Sequence, residues 1–104
     1  MTERKNIMEI DIAKLKRMQM LHVTFVLIDL RSPAQFSEGH LSNAFNIPHG
    51  EFLKKLPTTV PKKDTPIVVY DEDGDKASDL IVAAEALGYL NIVNLEGGFR
   101  AAKN

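Results

Sequence analysis

Pro66–Ala77 reads PIVVYDEDGDKA, and the architecture of the whole chain can be argued outward from it. Ile67-Val68-Val69-Tyr70 is a short apolar run rich in β-branched residues, the pattern of a buried strand. The chain then turns acidic through Asp71, Glu72, Asp73, Gly74 and Asp75, with Lys76 and Ala77 closing the stretch. From Asp79 a helical pattern takes over, and the spacing predicts one face made of Leu80, Ala83, Ala84 and Leu87. A strand that feeds a tight, glycine-containing loop and then a helix aims backbone N–H groups and a positive helix end at one point. Such a point suits an anion or a reactive nucleophile. Here the chain supplies a carboxylate of its own.

Composition narrows the field. A chain of 104 residues is read as one domain and can bury roughly 65% of its unfolded surface, enough for a core. With 44% hydrophobic and 26% charged residues it has the make-up of a soluble globular protein. A net charge of −1 gives no electrostatic footprint for nucleic acid or an anionic membrane, and neither is expected as a partner. No run approaches the length of a transmembrane helix, and Met1–Asn6 is too polar for a signal peptide, so the expected location is cytoplasmic. The chain has no cysteine, which removes disulfides, thiolate metal sites and every cysteine nucleophile.

Toward the N-terminus lies the apolar patch Ile7–Ile10, then Asp11 as an expected N-cap, then Ile12, Leu15 and Met18 at helical spacing. Lys14, Lys16 and Arg17 read as the wet face of that helix, with Met18, Met20 and the leucine beside them as core filler. Phe25–Ile28 is a second strand-like run. Ser32 and Pro33 suit a helix start, and Ala44–Pro48 suits a short extended piece. Glu51–Leu56 predicts one or two helical turns with Phe52, Leu53 and Leu56 inward. Thr58–Thr65 is the clearest expected loop, punctuated by Pro57, Pro61 and Pro66. Gly88 fits a helix stop, Ile92-Val93 another strand, and Gly97-Gly98 precede a last stub, Phe99–Asn104. Strands alternating with helices imply an α/β fold with a parallel sheet between helical layers, and ligands beyond the carboxyl ends of the strands.

These segments carry a resemblance. Val26–Pro48, VLIDLRSPAQFSEGHLSNAFNIP, resembles the first signature of the rhodanese superfamily: apolar strand, Asp-x-Arg, Pro, an aromatic, Gly-His, then Ala-x-Asn-Ile-Pro. Pro66–Gly98 resembles the second. The resemblance implies a three-layer rhodanese-like domain over residues 1–104, a five-stranded parallel sheet with helices on both faces, and an active-site loop directly after Tyr70. Catalytic relatives begin that loop with cysteine and close it with arginine. Here the positions hold Asp71 and Lys76, and Ala77 stands where a small polar residue is expected. The loop, Asp71–Lys76, has the length of the sulfurtransferase branch rather than that of the related phosphatases and arsenate reductases.

Persulfide transfer needs a thiolate, and Asp71 has no sulfur. The loop carries four carboxylates against one lysine, so thiosulfate, phosphate or arsenate meets repulsion there. The expectation is a non-catalytic rhodanese-like module with the Asp71 carboxylate seated in the N–H nest, no cofactor, and a protein partner held by the loop rim and the Lys54–Lys63 surface. A scaffold standing beside a sulfur-transfer partner is an alternative. Ile67–Gly74 is also similar to the first motif of haloacid-dehalogenase-type phosphatases, in which Asp71 would be nucleophile, Asp73 general acid–base, and Mg²⁺ the charge neutraliser. Asp29, Arg31 and His40 read as loop support. His22, His40 and His49 show no metal-ligand spacing, and no metal site is expected.

Overall fold

Two short β-branched runs, Val26–Asp29 (β2) and Ile67–Tyr70 (β4), pair in parallel as the middle of a five-stranded sheet, in a computed structural model that describes residues 7–103. The reading of Met1–Asn6 lies outside the described residues, as does Asn104 at the end of the terminal stub. The other strands are Glu9–Ile10 (β1), Phe45–Asn46 (β3) and Ile92–Leu95 (β5). The order is β1-β5-β4-β2-β3 and every pairing is parallel. The α/β expectation holds, with helices Ile12–Met20 (α1), Pro33–Glu38 (α2), Phe52–Thr59 (α3), Ser78–Ala86 (α4) and Gly98–Ala102 (α5) around the sheet.

Strand alternation splits β4 between two cores. Ile67 and Val69 point to a layer with Ile28, Phe52, Leu56, Ile81 and Ala84, which is where α3 and α4 pack. Val68 and Tyr70 point to the other layer, with Leu15, Leu27 and Leu95, beneath α1 and α5. Local chemistry starts the helices as expected. Asp11 accepts from Lys14 N–H at 2.8 Å. Ser32 and Gln35 close a capping box, with Pro33 in the first turn. No helix of the described residues is long and apolar enough to cross a membrane.

Several expectations need correction. Thr58 and Thr59 are helical, because α3 runs through Pro57. A proline in the last turn removes only one helical hydrogen bond, the one to the carbonyl of Leu53. That residue faces outward at 37% exposure rather than inward. Met20 and Leu21 are 75% and 74% exposed and fill no core. On α4 the buried face is Leu80, Ile81 and Ala84, whereas Leu87 is exposed. The helix is covered on the side that α3 and β5 dictate, which rotates the buried stripe onto Ile81.

Candidate functional site

The loop after β4 is folded around its own first side chain. Asp71 is 6% exposed, and its two carboxylate oxygens accept from the N–H groups of Gly74 at 2.5 Å and Lys76 at 2.6 Å. The alternate amides of Gly74 and Lys76 turn inward as an anion nest, and the internal carboxylate fills it. Gly74 takes φ +91°, a left-handed conformation that suits glycine. Asp73 accepts from Asp75 N–H at 3.2 Å, while Asp75 and the Lys76 side chain lie exposed at the rim. Ala77 is fully buried in the α3–α4 core and belongs to packing rather than to the site.

The loop leans on the N-terminus of α5. Phe99 N–H donates to the Asp71 carbonyl and Arg100 N–H to the Glu72 carbonyl, both at 2.9 Å. The approach is too close for side chains. A Cβ on Gly98 would lie 2.6 Å from the Asp71 carbonyl oxygen, and one on Gly74 would lie 2.7 Å from the nitrogen of Gly97. Asn94 holds the loop from below, its Nδ2 donating to the carbonyl of Gly74 at 3.2 Å and to Glu9 at 2.9 Å. His49 Nε2 reaches the Lys76 carbonyl at 3.2 Å. No sequence pattern marks Asn94 or His49 as a support of the loop. The Gly97-Gly98 pair was the signal available, and it reads as a turn until the loop is seen against it.

Asp29 and Arg31 come together as a buried pair. Arg31 Nη2 donates to Asp29 at 2.8 Å and to the Gly39 carbonyl at 2.6 Å, and Nη1 reaches Glu72 at 3.4 Å. Its guanidinium lies 3.9 Å from the Phe99 ring centroid. One side chain thus links β2, the end of α2, the loop and α5. Burial works against the Arg31 charge, but the hydrogen bonds and charge of Asp29 outweigh it and raise the pKa. The Tyr70 hydroxyl accepts from Leu41 N–H at 3.1 Å. Burial, aided by Asp29, raises its pKa well above the usual range despite that bond and Arg31. His40 stacks on Phe36 with centroids 3.7 Å apart and bonds the Phe36 carbonyl, so it braces the Gly39 turn rather than the loop itself.

A cleft of about 420 Å³ flanks the loop, between Glu38 on α2 and Arg100 on α5, with Arg31, Glu72 and Phe99 in its wall. On the Lys54–Lys63 surface, Lys55 pairs with Glu51, and Lys63 donates to the Leu87 carbonyl at the end of α4. The metal-dependent reading of Asp71 and Asp73 finds little to stand on. Both Asp71 oxygens are taken by amides, and among the described residues no three His, Cys, Asp or Glu side chains gather to hold an ion.

The family model described as a rhodanese-like domain matches residues 11–104. Thiosulfate sulfurtransferase PspE of Escherichia coli is 31% identical over 70 residues, which cover 67% of this chain and 67% of that protein. The tRNA uridine(34) hydroxylase of Erwinia tasmaniensis is 32% identical over 77 residues, covering 70% of this chain but 22% of the hydroxylase. The human single domain sulfurtransferase TSTD1 superposes with a TM-score of 0.80 at 22% identity, covering 92% of this chain and 95% of that one.

Proposed function

The chain belongs to the rhodanese-like domain family, and from that premise we propose that it is a non-catalytic member, a binding or regulatory module rather than a sulfurtransferase. The observation that carries this reading is the Asp71 carboxylate, buried and held by Gly74 and Lys76 N–H groups. In a transferase of this kind the same donors would stabilise a thiolate and then a persulfide. With a carboxylate in place they have no vacancy for a sulfur anion, and the chain contains no thiol at all. The rim adds half-buried Asp73 and exposed Asp75, whose charges repel thiosulfate and phosphate alike.

What remains on offer is surface. The acidic rim and the Lys54–Lys63 face, with Lys54 and Lys62 exposed, are the regions a protein partner would read by charge. Thiosulfate:cyanide assays test the first half of the proposal, with no turnover above buffer expected. Turnover by the unmodified chain would overturn it. Following backbone amides of residues 71–77 during additions of thiosulfate, phosphate and Mg²⁺ tests the closed nest, and saturable shifts would show it open. The second half requires a partner whose capture is lost when Asp73 and Asp75 are reversed to lysine.

A further inference from the structure

Among the described residues, the face of the sheet under α1 and α5 is incompletely covered. Alternation brings Val68 and Val93 to this face, and between α1 and the turn before β5 they floor a groove of about 360 Å³. Its lips are Met8 at 67% exposure and Leu90 at 74%, with Met18 on the α1 side. Large apolar side chains clustered around a concave floor, rather than scattered singly, mark a contact surface. Methionines at two of the positions make the lining adaptable.

Charge identifies the occupant. Among the described residues, Lys14 is the one charged residue lining the groove, and no acid lines it. Along α1 stand Lys14, Lys16 and Arg17 and no carboxylate. Glu9 alternates with Met8 and Ile10 along the chain and is engaged elsewhere, accepting from Asn94. A second copy docked by two-fold symmetry would bring two such cationic helices together, which disfavours self-association. We propose that the groove is the docking site for a segment of a partner protein that combines apolar side chains with carboxylates, the apolar ones entering over Val68 and Val93 and the acids meeting Lys14 and its neighbours. The inference deepens the binding-module reading and rests on it.

The test titrates the full chain with a short synthetic peptide of alternating leucine and glutamate pairs, and with the same peptide carrying lysine for glutamate. The glutamate peptide should move the amides of Ile10, Lys14, Met18, Leu90 and Val93 saturably. Leu90→Ser and Lys14→Glu should each weaken it roughly tenfold, as loss of an interface anchor does, while the amides of residues 71–77 stay in place and report an intact fold. The lysine peptide should bind only the Lys14→Glu protein. Equal binding of both peptides, binding of neither, or a dimer in sedimentation that Leu90→Ser dissolves would each overturn the proposal. Those failures are separable from failure of the module reading, which thiosulfate turnover at the loop would reveal with the groove untouched.

Discussion

At the scale of single residues, Asp71 is a satisfied anion, and its value lies in what its removal would leave behind. Asp71→Asn keeps the volume but turns an amide NH₂ toward a backbone donor, stranding at least one N–H of the nest. The expected cost is about 1–3 kcal/mol, read as a lower urea midpoint with faster exchange of the Gly74 and Lys76 amides. Asp71→Cys should not restore thiosulfate turnover above the buffer level. Lys76 lacks the planar fork of an arginine, and Glu72, Asp73 and Asp75 disfavour a thiolate. Tyr70 makes a different prediction. Its pKa is raised in the folded chain, first by burial, so the folded state holds the proton more tightly than the unfolded one. The stability this supplies is whole below the unfolded value near 10 and drains away as pH climbs through that value toward the folded one. Urea midpoints measured from neutral pH upward should therefore fall above about pH 10, and Tyr70→Phe should remove that part of the fall.

At the scale of elements, the loop is a surface between β4 and α5, and its tolerance is set by glycines on both sides. Gly98 sits at φ +61° with its missing Cβ directed at the Asp71 carbonyl. Gly98→Ala should cost roughly 1–3 kcal/mol from the left-handed backbone alone, and the close contact with the loop adds to it. Calorimetry and the amide shifts of Asp71–Lys76 would register both, and an unshifted loop would contradict the contact. Most of the elements were legible in the sequence. Val26–Asp29 and Ile67–Tyr70 announce themselves because buried parallel strands are continuous β-branched runs, and Ser32 with Gln35 is a local cap. Asp71 was legible because a strand, a glycine loop and a helix leave few places for a carboxylate. What escaped reading was non-local. Helical spacing names a stripe but not its cover, so the pattern that points Leu53, Met20 and Leu87 inward is overruled by a fold that leaves them exposed. The contact of Gly74 with Gly97, and the reach of Asn94 to the loop, join segments distant in the chain and leave no periodic trace.

At the scale of the whole molecule, the strand order places β1 against β5, so the sheet is closed by a pairing between distant parts of the chain. Glu9 and Asn94, joined by a side-chain hydrogen bond, are 85 positions apart. The logarithmic part of the entropy of closing so long a segment is roughly 4 kcal/mol, set against a strand of two residues. By contrast β2 and β4 pair along four residues each and lie in the middle. The amides of Asn94 and Glu96, which bond the carbonyls of Met8 and Ile10 at the β1 edge, should exchange with solvent faster than that of Leu30, which bonds the Tyr70 carbonyl. Equal protection would mean the sheet opens only as a unit. Pairing length falls along the same gradient: four residues between β2 and β4, three between β4 and β5, and two between β5 and β1. A chain under tension would give up that strand first, and with Glu9 gone Asn94 would lose a partner while still in reach of Gly74. Mechanical release at one edge of the sheet would thus be felt at the loop before the rest of the fold had moved.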